Sequence, residues 1–262
     1  MGKLIQRNLS YSASEQNMPA STELTTHIEG NGYLLLKNIF HEGPLKRVLG
    51  EVEKAIQLAN ESSIKSRAGD TYAARNLEDQ NPALLAVWRH PSLQDALKEV
   101  LGSQCGLVRI LYFNKHPQRT WSLPWHKDKT IAVKDHSLPS KHFSKPTMKS
   151  GIQHVEASDS ILQQMVTLRI HFDSATAENG ALHVIAGSHR NSNKDEDSSE
   201  ARLVETEPGD VLMMRPLLSH SSQSSKPGTQ KHRRILHLEF AANPVLPDGF
   251  QWNRFTPVFS PR

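Results

Sequence analysis

After Gly102 the chain breaks into short apolar runs, LVRILYF, TIAV, MVTLRIHF, ALHVIAG, DVLMMR and RILHLEFA, separated by Pro, Gly and Asn. No long helical pattern lies between them. A parallel sheet needs a crossover of a dozen or more residues between strands, usually a helix, so this spacing predicts an antiparallel sandwich or barrel. Helical signals are confined to the N-terminal side. Leu24 and Ile28 followed by GYLLLKNIF at 32–40 predict a short helix feeding a strand. Leu45, Val48, Leu49, Val52, Ala55 and Ile56 mark one face of a helix over 45–58, and 82–101 reads as a second helix opened by Pro82 and stopped by Gly102. These helices are too few to bury a core of their own. The expectation is one domain over 1–262, mainly β with flanking helices, with a flexible leader at 1–20 and a β core over about 105–242.

Two loops interrupt the β region. The first, Lys134 to Ser160, is basic and rich in Ser, His and Pro, and its length predicts a mobile lid. The second contains NSNKDEDSSE at 191–200 and reads as a solvated excursion. A single cysteine, Cys105, excludes an intramolecular disulfide framework and a cysteine-rich zinc site. The start MGKLIQRNLS lacks the apolar run of a signal peptide, and no stretch approaches the roughly 18 apolar residues of a membrane span, which predicts a cytoplasmic protein. Net charge is +4 with dispersed Lys and Arg, so neither nucleic acid nor membrane is an expected partner.

Fourteen histidines direct attention to metal chemistry. In LPWHKDKTIAV, His126 and Asp128 stand two residues apart, and on an extended strand such a pair faces one way. An imidazole and a carboxylate completed by a distant histidine make a facial triad that leaves coordination positions open. The pair alone is weak, since chance supplies about 0.6 His-x-Asp matches in a chain of this composition. A second occurs at His171-Phe172-Asp173, and His237-Leu238-Glu239 is related.

Order of motifs separates these candidates. Trp125 to Val133 is followed by ENGALHVIAGSHR, PGDVLMMRPLLSHSS and KHRRILHLEFA. This series resembles the phytanoyl-CoA dioxygenase family of iron(II)- and 2-oxoglutarate-dependent oxygenases over about residues 105–242. The resemblance implies a double-stranded β-helix (a jelly roll of cupin type), with His126, Asp128 and His220 as both metal ligands and catalytic centre. It assigns Arg233, with Arg234 as the adjacent alternative, to the distal carboxylate of 2-oxoglutarate, and Ser222 to the same cosubstrate. The planar fork of an arginine suits a carboxylate. It further implies iron(II), 2-oxoglutarate and O2, with ascorbate as an optional accessory, and a small-molecule substrate whose unactivated C–H bond is hydroxylated as 2-oxoglutarate becomes succinate and CO2.

The sequence departs from the family's pattern in two places. Ala186-Gly187-Ser188-His189 replaces a Pro-Gly-Ser-His turn, and Arg169 takes an apolar position of the central strand, where it offers a second cationic grip on cosubstrate or substrate. His171 is the chief rival ligand, His189 is expected in a turn, and His237 shares a strand face with Arg233. Arg75-Asn76 and Asn114-Lys115 are further candidates for contacts with cosubstrate or substrate. Retention of Asp128 argues against a halogenase, which needs a small residue there. A zinc hydrolase on the same ligands, or a non-catalytic β-helix binding protein, are the alternatives.

Overall fold

The computed structural model describes residues 21–59, 64–67, 70–191 and 198–259. The expected leader, and the middle of the second loop, lie outside the described residues. In chain order the elements are α1 (Ser21–Asn31), β1 (Tyr33–Leu36), α2 (Glu42–Leu58), β2 (Ile64–Arg67), β3 (Asp70–Arg75), α3 (Leu77–Gln80), α4 (Pro91–Leu101), β4 (Gly106–Lys115), β5 (Leu123–His126) and β6 (Thr130–Val133). They continue with β7 (Phe143–Lys149), β8 (Ile152–Ala157), α5 (Asp159–Leu162), β9 (Met165–His171), β10 (Leu182–Val184), β11 (Arg202–Val204), β12 (Val211–Met214), β13 (His220–Ser222), β14 (Arg233–Ala241) and β15 (Thr256–Pro257).

Among the described residues these strands form three sheets, and every strand pair is antiparallel. The large sheet runs β1-β12-β9-β14-β4-β3-β2, with β15 added on β4; a four-stranded sheet runs β11-β10-β13-β5, and a three-stranded sheet β6-β8-β7. The first two are the walls of a double-stranded β-helix, and residues from both line one cavity of about 440 Å³.

Strand alternation sorts the large sheet into two faces. On β14, Leu236, Leu238 and Phe240 join the main apolar core, whereas Arg233, His237 and Glu239 line the cavity. β9 repeats the pattern, with Leu168 and Ile170 in the core and Arg169 in the cavity. The helices cover the apolar face: Val48, Val52, Leu93, Leu97 and Trp88 are all buried against it. Each such side chain stabilises the fold by about 1.5–3 kcal/mol relative to exposure, so the helices hold the sheet that aims Arg233 and His237 inward.

Two expectations are corrected. The helix over 82–101 is two elements, a 3-10 helix at Pro82–Arg89 and α4, because Pro91 forces the preceding His90 to extended geometry (φ −64, ψ 130). The stretch 134–160 is not a structureless lid. It contains the β7–β8 hairpin, with β8 paired to β6 from Thr130↔Glu156 to Val133↔Gln153. Phe143, Val155 and Ala157 pack with Ile131, Val133 and Trp252 in a second apolar cluster.

Candidate metal centre

His126 ends β5 and lies directly opposite His220 on β13. Asp128 follows just beyond the strand, where its backbone N–H donates to Pro216 O at 2.8 Å. That bond ties the carboxylate's backbone to the loop that leads into β13. The two imidazoles and the carboxylate therefore converge, with His126 Nε2 3.9 Å from Asp128 Oδ1 and His220 Nε2 3.7 Å from Asp128 Oδ2. One ligand atom from each of the three lies within 4.8 Å of the others. The spacing suits three ligands around one ion.

Both histidines are held by the same device. The Nδ1 atom of His126 lies 2.8 Å from Pro124 O, and that of His220 lies 2.9 Å from Leu218 O. A carbonyl accepts only from Nδ1–H, so each Nε2 is left as the lone-pair donor facing the cluster. Burial lowers the His220 pKa to about 4, against the opposing pull of Asp128, and the neutral ring is the form that binds a metal. Burial alone would raise Asp128, but His220, His237, His126 and Arg169 outweigh it and hold its pKa at about 2.

The sequence motifs that follow Trp125 prove to be the supports of this cluster. Ser188 Oγ, from the AGSH turn, accepts the N–H of Ser219 at 2.8 Å, one residue before His220. Asn179 is fully buried and donates to Ser174 O and His232 O, which joins the ENG turn to the start of β14. Gly180, at φ +74, could carry no side chain without striking Gln223 O. In the PGD motif, the Asp210 carboxylate accepts from the N–H groups of Asn38 and Glu207, both at 2.9 Å.

Arg233 and Arg234 face opposite ways. Arg233 is 4% exposed, donates through Nη1 to Gly180 O, and has a buried Nε with no partner among the described residues. Burial, and then Arg169, lower its pKa to about 9. Arg234 is engaged elsewhere, gripping Asp173 through Nε at 2.9 Å and Nη2 at 2.7 Å. Ser222 lines the cavity, and its Oγ accepts from Lys115 Nζ at 3.0 Å. Arg169 also lines the cavity, and its buried Nε likewise lacks a partner among the described residues.

The other candidates separate clearly. His171 stands outside the metal cluster, with Nδ1 2.9 Å from Thr206 Oγ1, and its neighbour Asp173 is occupied by Arg234. His237 lines the cavity and meets Glu239 at 3.2 Å. His189 is buried beside Gly32. Asn114 reaches Thr71 O and His232 rather than the cavity. Sequence reading missed Arg109, whose guanidinium is bound to Glu239 at 2.8 and 2.5 Å and to Thr130 O at 2.9 Å, and which lines the cavity. Its only signal in the sequence is an arginine amid the apolar run LVRILYF.

A double-stranded β-helix with two histidines and a carboxylate lining its cavity defines the class of non-haem metal oxygenases. The chain belongs to the phytanoyl-CoA dioxygenase (PhyH) family, whose profile matches residues 28–235. Among solved structures, it is similar to EctD from S. alaskensis with 2-oxoglutarate and 5-hydroxyectoine, at TM-score 0.68 and 17% identity over 95% of this chain and 89% of that one. It is also similar to the non-haem α-ketoglutarate-dependent epimerase SnoN from nogalamycin biosynthesis, at TM-score 0.62 and 15% identity over 92% and 93% of the two chains. A third similarity is to EvdMO1, at TM-score 0.60 and 21% identity over 86% of this chain but half of that one. No curated protein matches. No helix among the described residues is long and apolar enough to cross a membrane.

The residues present fit an iron ion and an oxoacid. The three donors offer two imidazoles and one carboxylate, a set suited to iron(II) with positions left open. The guanidinium groups of Arg233 and Arg169, each with a buried Nε that no described residue satisfies, supply positive charge where a dicarboxylate would need it.

Proposed function

We propose that the protein is an iron(II)- and 2-oxoglutarate-dependent dioxygenase that hydroxylates an unactivated C–H bond of a small molecule. The observation that carries this reading is one cavity containing both the His126, Asp128 and His220 cluster and the inward-facing Arg233. In this reading those three residues hold iron, Arg233 grips the distal carboxylate of 2-oxoglutarate, Ser222 orients the same molecule, and Arg169 adds positive charge beside it. Iron(II), 2-oxoglutarate and O2 together supply an oxidant strong enough for such a bond, with succinate and CO2 as coproducts.

The chain's own groups do the rest. The carbonyls of Pro124 and Leu218 fix the tautomer in which Nε2 of each histidine carries the lone pair. Lys115 holds Ser222 in place, and the Arg109–Glu239–His237 chain fixes part of the cavity lining. EctD, solved with 5-hydroxyectoine, gives a hydroxylated product as the point of comparison, while SnoN is described as an epimerase. The test is succinate formation that requires both iron(II) and 2-oxoglutarate, followed by ¹⁸O2 labelling of the oxidised substrate. Turnover of 2-oxoglutarate with no oxygen atom gained by substrate would remove hydroxylation. Absence of any iron-dependent succinate would remove the whole reading.

A further inference from the structure

The cavity carries more positive charge than one 2-oxoglutarate requires. Its lining includes Arg109, but Glu239 neutralises that guanidinium. Lys127 turns away to Ser188 O and Asn191 O at 3.0 and 2.8 Å. Lys129 lies 3.8 Å from Asp159, and the Arg119 guanidinium lies 4.5 Å over the Tyr72 ring. Arg233 and Arg169 are already assigned to 2-oxoglutarate. Two half-buried cations remain, Arg75 and Lys149, and among the described residues neither side chain makes a hydrogen bond or ion pair.

Separate elements bring these two to one cavity. Arg75 ends β3 and Lys149 ends β7. The adjoining residues are joined where Asn76 Nδ2 donates to Ser150 O at 3.3 Å, which ties the turn between β7 and β8 to the end of β3 in the large sheet. Lys149 is disfavoured as a cation by burial, then by Arg109 and Arg75; Arg75 is disfavoured by burial, then by Arg109, with Glu239 opposing. Two half-buried cations that line one cavity, on segments joined by the Asn76–Ser150 bond, call for an anion. Beside them Leu111, Phe113 and Trp121 offer apolar surface.

We infer that Arg75 and Lys149 form the recognition site for the primary substrate, which is a small molecule bearing a carboxylate or phosphate on an apolar body. This rests on the dioxygenase reading, since it takes Arg233 and Arg169 to be engaged by 2-oxoglutarate. The anion anchors the substrate at the hairpin side of the cavity, and its apolar body extends along Phe113 toward the metal cluster. A cationic pair of this kind selects by charge, because a neutral or cationic head group would leave both side chains uncompensated.

The test uses four probes with the same six-carbon tail: hexanoate, hexyl phosphate, hexylammonium and hexanol. Binding is measured by calorimetry to the full chain loaded with Mn(II) and 2-oxoglutarate, so that the cosubstrate's own anchor is filled. At least one anion should bind tenfold or more tightly than hexanol, with hexylammonium weakest, and the tighter anion identifies the head group. Arg75→Ala should weaken that anion at least fivefold. Lys149→Glu should shift preference toward hexylammonium, a gain that a merely unfolded variant cannot show. Failure of both anions to outbind hexanol, or anion preference that survives both substitutions, overturns the inference. If the Mn(II)-loaded protein fails to bind 2-oxoglutarate, the dioxygenase reading falls separately, and loss of anion binding in Arg75→Ala and Lys149→Glu without 2-oxoglutarate still decides whether this pair holds the anion.

Discussion

His126 and His220 are register partners across the β5–β13 ladder, with ring centroids 4.2 Å apart. They lie far apart in the sequence, yet pairing of two short strands places both Nε2 atoms beside Asp128. The ladder shifts register between His220 and Ser222, so the histidine pair and Ser222 are set by two different registers of one strand.

Asp128→Ala should lose iron, because it removes the only carboxylate of the cluster. Asp173→Ala should keep iron and lose about 1 kcal/mol of stability with its ion pair to Arg234. Metal content after dialysis, paired with a thermal melt, checks both. Retention of iron by the Asp128 variant and loss by the Asp173 variant would reverse the ligand assignment.

Arg233→Ala should raise the 2-oxoglutarate requirement at least tenfold. Loss of a charge-assisted contact in a buried site costs about 2–5 kcal/mol, and a factor of ten corresponds to about 1.4 kcal/mol. Arg234→Ala should leave that requirement nearly unchanged, since its guanidinium is held by Asp173. Concentration dependence of succinate formation distinguishes them, and a large effect of Arg234→Ala alone would transfer the role.

Lys115 is fully buried, and burial, followed by Arg233 and Arg169, lowers its pKa from 10.5 to about 6. Between these values the unfolded chain binds the proton that the folded chain has released, so stability rises with pH across this window. The group's contribution is fully present above 10.5 and is progressively lost as pH falls to about 6. Lys115→Met removes the dependence. The difference in Tm between the parent protein and the variant should therefore move in the parent's favour from about pH 7 to about pH 9.5, both inside that window. A difference that is flat or moves the other way would show that Lys115 stays charged in the fold.

The β7–β8 hairpin should be protected from hydrogen exchange even without substrate. Val155 pairs with Ile131 and is buried in the second apolar cluster, so its amide should exchange far more slowly than those of the exposed turn. Uniformly fast exchange over 152–157 would restore the mobile lid expected from sequence.

That hairpin marks where sequence reading stops. FSKPTMK buries only Phe143 and contains Pro146, so it lacks the period-2 alternation that identifies a strand, and its pairing is fixed by β8 rather than by its own residues. β14 is legible for the opposite reason: Leu236, Leu238 and Phe240 on a core face alternate with His237 and Glu239 on a polar cavity face. His126, Asp128 and His220 could be named because ordered motifs surround them, and the structure brings the three together. Spacing alone could not separate Arg233 from Arg234; the choice depends on which strand face carries Asp173. Arg75 could be named only through the resemblance, as a candidate contact with cosubstrate or substrate, and Lys149 not at all, because their sharing one cavity depends on the Asn76–Ser150 contact between distant segments.

Whether one cavity holds iron(II) and 2-oxoglutarate together is tested most directly by the anaerobic visible absorption spectrum. Iron(II), then 2-oxoglutarate, is added to the metal-free protein and to its His220→Ala and Arg233→Ala variants. A charge-transfer band should appear in the parent protein only when both are present, vanish in His220→Ala, and require more 2-oxoglutarate in Arg233→Ala. No band in the folded parent protein, or one undiminished in His220→Ala, would contradict the assignment.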